Sequence, residues 1–439
     1  MIESIKIKNY LSIREEQEIS FVASREKGKT PSETESWFTQ IGNTKLLKIL
    51  IFIGNNGAGK TNVLSAVDYL RLIALKKYED NEENVKFHPF LLDNESRNNP
   101  TEISMVYYID DNRYTYSVSV RRDYIQEESL LLHNGRNTAY VYKRTYEQDH
   151  SSITFGNACN LSTEDKKALI VNTLRNTSVL ATFGSKNFKS GILRANYQFF
   201  RNGINLVSDS DTSPMNLLSE TDALSNSKIK PVIISMLKTV DAKINDYEVS
   251  EQEYEMPQSF YKRAPQSAID EFRRDHPDGK IHEKEIKFKH RTSHGDYPID
   301  LSLESRGTIG VIYMIIIICD LIEHHRCAFI DEFGYSIHQQ VLDLLVKLFV
   351  TLSERSQVII TTQSIAILLL KGLRRDSLRI CQKTDDGETR IKPVDQTKIH
   401  KNNNLYKVYM QNELEGLPFV EQDFNFEELV QNIKNSIMN

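Results

Sequence analysis

Near the start of the chain Ile2, Ile5, Ile7 and Tyr10 sit among polar neighbours in near-alternation, the period of a half-buried strand. A second strand is expected over 13–21, so the chain opens on a hairpin. Residues 24–44 are polar and include Gly28, Pro31 and Gly42, and they read as loop. From Leu46 to Ile53 every residue except Lys48 is apolar, and a glycine follows, which suits a strand buried on both faces. Val63, Leu64, Val67, Leu70 and Ala74 then recur at helical spacing, predicting a helix over 62–77.

Residues 79–100 form an acidic, Asn- and Pro-containing connector. From Glu102 to Leu132 alternation returns in three runs, with Asp110-Asp111-Asn112 as a turn, so an antiparallel meander is expected. Further short strands are expected within 139–155. Residues 163–240 read as mainly helical around a loop at 207–215, and 250–284 is polar and carries Pro257, Pro265 and Pro277. Strand signal over 285–303 precedes an apolar helix at 307–323. Short apolar strands at Cys327–Ile330 and Gln357–Thr361 flank a helix at 337–352. The expected fold class is α/β, with a mixed core sheet, an antiparallel β-lobe and a mainly helical insertion. The expected division is 1–189, an insertion or arm at 190–284, and 285–439.

Composition narrows the setting. At 439 residues, 39% hydrophobic and 26% charged, the chain is of ordinary globular type, and its formal charge of −5 leaves nucleic-acid contact to a local patch. The four cysteines, Cys159, Cys319, Cys327 and Cys381, form no CxxC pair, which points to a reducing compartment and away from a zinc site. MIESIKIKNY lacks the apolar core of a signal peptide, and the Ile309–Cys319 run is too short to cross a bilayer. A cytoplasmic protein without a membrane segment is expected.

The candidate chemistry begins at Gly54-Asn55-Asn56-Gly57-Ala58-Gly59-Lys60-Thr61, with Asn62 following, which fits GxxxxGK[ST] at every fixed position. It lies between a buried strand and an amphipathic helix, where backbone N–H groups and a helix N-terminus can surround phosphate oxygens. Lys60 would reach the β- and γ-phosphates of ATP, and the Thr61 hydroxyl would bind Mg2+. Roughly 270 residues later, Cys327-Ala328-Phe329-Ile330-Asp331-Glu332 places two acids at the carboxyl end of a buried strand. Asp331 would hold the metal, directly or through water, and Glu332 would orient or deprotonate the attacking water. Glu304-Ser305-Arg306-Gly307-Thr308 opens the apolar helix and is similar to the ABC signature, in which a Ser and a Gly contact the γ-phosphate of a partner subunit. Ser305 as an ordinary N-cap is compatible with that role.

With these motifs in place the chain resembles the ABC-like ATPases of the RecF/SMC class. Within them it is most similar to the small AAA-type ATP-binding proteins of bacterial abortive-infection and phage-defence operons. IKIKNYLSI, GNNGAGKTNVL, ESRGT, FIDEFGYSIH and a tail comprising LRRDSLRI, the DDGETRI turn and NNNLYKVYMQNELEGLPFV carry the resemblance. It implies a homodimer or higher homo-oligomer with composite sites, His338 near the dimer seam, and a separately encoded nuclease or toxin as effector. The family's switch histidine position is occupied here by Gln363, which can donate a hydrogen bond but carries no charge, so slow turnover is expected. Gln126 is the candidate for a glutamine that links the β-lobe to the metal. Lys186, Lys189, Arg194 and Arg201, interleaved with Phe188, Tyr197, Phe199 and Phe200, fit either a DNA or RNA contact or an amphipathic helix with a basic outer face. A DNA-repair head of RecF/SMC type and a non-hydrolysing scaffold are the alternative functions.

Overall fold

A computed structural model describes residues 1–24, 35–135, 137–147, 150–207, 214–215, 218, 222–240, 243–334, 337–397, 399–400, 403–414 and 431. The chain opens with β1 (Ile2–Lys8) and β2 (Gln17–Ser20), paired antiparallel as expected. A second hairpin, β3 (Phe38–Ile41) and β4 (Thr44–Leu47), lies where loop was expected. β5 (Ile49–Gly54) follows, then α1 (Lys60–Leu75). The apolar run from 46 to 53 is therefore two strands, divided at Lys48. Lys48 is buried and donates to Val350 O at 2.8 Å, so its charge is spent on a helix C-terminus.

The meander is β6 (Thr101–Ile109), β7 (Asn112–Val120), β8 (Ile125–Asn134), β9 (Asn137–Glu147) and β10 (His150–Phe155). With β1 and β2 it forms a seven-stranded antiparallel sheet in the order β10-β9-β8-β7-β6-β1-β2. Three helices follow, α2 (Thr163–Asn172), α3 (Val179–Gly184) and α4 (Gly191–Asn202), and then a strand that the sequence did not announce, β11 (Ile204–Val207). Next come α5 (Lys230–Val240), β12 (Ile244–Glu255), α6 (Gln258–Arg263), α7 (Gln266–Asp275), β13 (Lys280–Thr292) and β14 (Gly295–Asp300). β12, β13 and β14 make a separate antiparallel sheet. The chain finishes with α8 (Arg306–His324), β15 (Cys327–Ile330), α9 (Gln339–Leu352), β16 (Gln357–Thr362), β17 (Leu378–Lys383), β18 (Thr389–Pro393) and α10 (Leu405–Met410).

The core sheet runs β11-β15-β16-β5-β17-β18, parallel throughout except for β18. Its central strands are buried on both faces, because alternate residues serve two cores. Leu50, Phe52, Phe329 and Ile359 face the antiparallel lobe and α1, whereas Ile51, Ile53, Ile330 and Ile360 face α8 and α9. The mixed α/β architecture read from the sequence is thus the observed one. Within the stretch 190–284, β11 joins the core sheet, and β13 runs across 284/285. α8 is long and apolar enough to cross a membrane by length and composition, being longer than the 309–319 run alone. Its residues Ile309, Ile312, Ile315 and Leu321 are buried in the second core. The expected loop at 207–215, the family tail after Leu414, and Tyr335 and Ser336 fall largely or wholly outside the described residues.

Candidate functional site

β5 lies between β16 and β17 and ends at Gly54, where the backbone approaches its neighbour closely. A Cβ there would stand 2.3 Å from the Cys381 carbonyl oxygen, so only glycine fits. The chain then curls through Asn55, Asn56, Gly57 and Ala58, with Ala58 N donating to Asn55 O at 3.2 Å. Gly59 has φ +90° and N-caps α1, and a Cβ on it would meet Thr389 Oγ1 at 2.0 Å. The loop that the sequence predicted is thus a backbone cradle at a helix N-terminus, kept open by residues without side chains. That is a fit for a phosphate chain.

Lys60 is buried, and its ammonium donates to Gly54 O at 2.8 Å and Asn55 O at 2.9 Å. Burial pulls its pKa below the usual lysine value, while Cys381, Glu332 and Asp331 oppose the shift. The Thr61 hydroxyl donates to Asp331 Oδ2 at 2.8 Å, which brings together two residues 270 positions apart. Glu332, next in the chain, has φ +52°, a left-handed conformation that costs a non-glycine residue about 1 kcal/mol. Gln363 Nε2 donates to Glu332 Oε1 at 2.5 Å, so the glutamine at the switch position stands against the candidate catalytic acid. A cleft of about 970 Å³ opens beside Thr61 and Asp331, and a second of about 450 Å³ is lined by Asp331, Glu332 and Arg306.

Ser305 caps α8, its Oγ accepting from Thr308 N at 3.0 Å. Among the described residues, no hydrogen bond joins Ser305 or Gly307 to residues 54–62 of the same chain. Gln126 Oε1 accepts from Arg121 at 2.5 Å, and no described contact brings it to Thr61 or Asp331. His338 caps α9, with Nδ1 3.3 Å from Gln340 N. The aromatic members of the 186–201 stretch are largely committed to packing. Phe199 stacks on Tyr107 at 4.3 Å, Phe200 is buried, and the Arg194 guanidinium lies 5.0 Å over Phe183. Lys287, Lys289 and Arg291 line one face of β13 and pair with Glu285, Glu248 and Asp296.

Sequence reasoning missed a set of residues that brace the cradle. Asn62 Nδ2 donates to Ser12 Oγ at 2.5 Å, Ser12 and Thr389 hydroxyls lie 2.7 Å apart, and Thr389 Oγ1 donates to Ala58 O at 2.9 Å. Since the single Thr389 proton goes to Ala58, Ser12 must donate to Thr389. A relay therefore runs from the first turn of α1 back to the loop, passing through the opening turn and β18. Ser12 belongs to the IKIKNYLSI segment and Thr389 to the DDGETRI turn, but neither pattern announces the contact between them.

The model of the family described as "AAA domain, putative AbiEii toxin, Type IV TA system" matches residues 49–369. No curated protein matches the chain. Among solved structures, an SMC head bound to the C-terminal winged-helix domain of ScpA aligns with TM-score 0.43 and 12% identity, over 89% of this chain and 96% of that one. The SMC head domain from Thermotoga maritima gives TM-score 0.39 and 11% identity, over 90% and 98%. An Smc head with an extended coiled coil from Pyrococcus furiosus, bound to the C-terminal domain of ScpA, gives 0.43 and 10%, over 94% and 99%.

Proposed function

The chain belongs to this AAA-domain family, and on that premise we propose that it binds ATP with Mg2+ and hydrolyses it slowly in a homodimer. The observation that carries the reading is the 2.8 Å contact between Thr61 and Asp331 at the mouth of the glycine cradle. A hydroxyl and a carboxylate there are the oxygen donors that a hard divalent cation takes beside a triphosphate. Gly54, Asn55, Asn56, Gly57, Ala58 and Gly59 would surround the phosphates, with Lys60, Thr61 and Asn62 at the helix start. Mg2+ held by Thr61 and Asp331 would offset charge on the β- and γ-phosphate oxygens.

Glu332 would take a proton from the water whose oxygen attacks the γ-phosphorus, as the bond to the bridging oxygen breaks. Gln363 supplies a neutral donor where a charged one would better stabilise the phosphoryl group in flight, which supports slow turnover. Lys60 would leave the carbonyls of Gly54 and Asn55 for phosphate oxygens as nucleotide enters.

The tip of α8 supports a composite site. Its first turn holds no acid, no described hydrogen bond ties Ser305 or Gly307 to residues 54–62 of the same chain, and Arg306 adds positive charge to the helix end. A second copy offering that tip would complete the cradle. The family description names a putative AbiEii toxin of a type IV TA system, which favours a role in toxin-based defence. Following the resemblance, we propose that the ATPase controls a separately encoded effector in the cytoplasm.

Glu332→Gln tests the reading. With ATP and Mg2+, sedimentation should show the variant as a dimer at micromolar concentration, while phosphate release falls by at least about a hundredfold. A variant that stays monomeric with ATP bound would refute the composite site. A variant that releases phosphate at the wild-type rate would refute Glu332 as the base.

A further inference from the structure

β16 and the turn after β15 are joined side chain by side chain where their backbone ladder ends. The ladder's last pair is Ile330 with Ile360. Beyond it Thr361 Oγ1 donates to Asp331 Oδ1 and accepts from Glu332 N, the latter at 3.0 Å. Thr362 Oγ1 donates to Phe333 O at 3.2 Å, and Phe333 N donates to Thr361 O at 2.8 Å. Gln363 then reaches Glu332 Oε1. Thr361 is fully buried, so its hydroxyl is shielded from water, whereas the Gln363–Glu332 contact is exposed.

We propose that Thr361 is a positioning residue for hydrolysis, its one hydroxyl orienting the metal-binding carboxylate and the catalytic turn together; the proposal rests on the ATPase reading above. The hydroxyl has one proton and two lone pairs. Glu332 N–H can only donate, so it occupies a lone pair and the proton goes to Asp331. Oδ1 is thereby engaged behind the site, and Oδ2 is the oxygen turned towards Thr61. The same hydroxyl anchors the backbone N–H of Glu332 in its left-handed conformation, from which the carboxylate meets Gln363. One buried atom thus couples the direction of Asp331 to the direction of Glu332.

The test compares Thr361→Val, which keeps the β-branched shape, with Thr361→Ser, which keeps the hydroxyl, both in the full chain. Nucleotide titrations are run with ATP in EDTA and with ATP plus Mn2+, bound Mn2+ is read by electron paramagnetic resonance, and phosphate release is followed separately. ATP affinity in EDTA should stay within about twofold for both variants, since the cradle is untouched. In Thr361→Val the gain in ATP affinity on adding Mn2+ should fall about tenfold, and kcat should fall about ten- to a hundredfold. Thr361→Ser should retain most of both. Wild-type metal response and turnover in Thr361→Val would overturn the proposal. So would Thr361→Ser failing as badly as Thr361→Val, which would assign the effect to the methyl group. A wild-type chain that binds no ATP would instead sink the ATPase reading beneath it.

Discussion

Thr389→Val removes one hydroxyl from the relay behind the phosphate cradle while keeping the shape of a strand residue. Two contacts disappear, the 2.9 Å bond to Ala58 O and the 2.7 Å bond from Ser12. The Ala58–Thr389 bond is buried, so the carbonyl of Ala58 loses a partner that solvent does not replace. A lost buried hydrogen bond with its partner stranded costs about 1–3 kcal/mol, and the Ser12 contact adds up to about 1 kcal/mol. We take about 2–3 kcal/mol in total. The relay begins and ends on residues 58–62, so the loss falls on the loop's conformation more than on the sheet. At about 1.4 kcal/mol per decade, ATP should bind roughly 30- to 140-fold more weakly. Titration with a fluorescent ATP analogue reads the affinity, and thermal unfolding without nucleotide reports whether the fold is intact. Thr389→Ser, which keeps the hydroxyl, should bind nearly as wild type. An unaltered affinity in a folded Thr389→Val protein would refute the brace, and equal loss in Thr389→Ser would assign the effect to packing.

Gln363→His should raise steady-state phosphate release about tenfold, the difference between a neutral and a charge-assisted hydrogen bond to the transferred group; equal rates would show that position 363 does not limit turnover. Arg144→Met strands Glu128 in the β-lobe, because both side chains are fully buried and Arg144 is also bonded to the carbonyls of Leu174, Arg175 and Thr177. Denaturant unfolding should show a loss of about 3–5 kcal/mol. Burial already raises the Glu128 pKa, with Arg144 opposing, and removing the guanidinium raises it further. A carboxyl whose folded pKa exceeds its unfolded one stabilises most below the unfolded value and loses that contribution as pH rises through the folded one. The deficit of Arg144→Met against wild type should therefore be smaller at pH 5 than at pH 8, and a deficit independent of pH would argue against an ionised Glu128.

What was legible in the sequence followed from local pattern. The cradle, β15, β16 and α8 each carry period, length and flanking residues that point one way, and the Thr361-Thr362 pair closes β16 in plain sight. The missed features depend on distant partners. β11 is four residues long, too short to show a period even though Asn202-Gly203 precedes it, and it becomes a strand because Cys327–Ile330 lies parallel beside it. Lys48 read as a tolerated polar residue inside one strand, yet it divides two, since its ammonium finds the C-terminal turn of α9. Between Lys48 and the core, Lys48 N bonds to Trp37 O and Val358 N to Lys48 O, so the chain changes sheets at that residue. The Ser12–Thr389 contact spans 377 positions and leaves no periodic trace.

The chain leaves the core sheet at β11 and returns at the turn before α8, and both crossings are fastened to the site. Val207 O accepts from Asp331 N at 3.0 Å, and His290 on β13 lies 2.6 Å from Glu304, the residue before Ser305. The β12-β13-β14 sheet is therefore tied through His290 to the residue that precedes the Ser305 cap of α8. A push on β13 would thus bear first on the start of α8, the longest helix among the described residues.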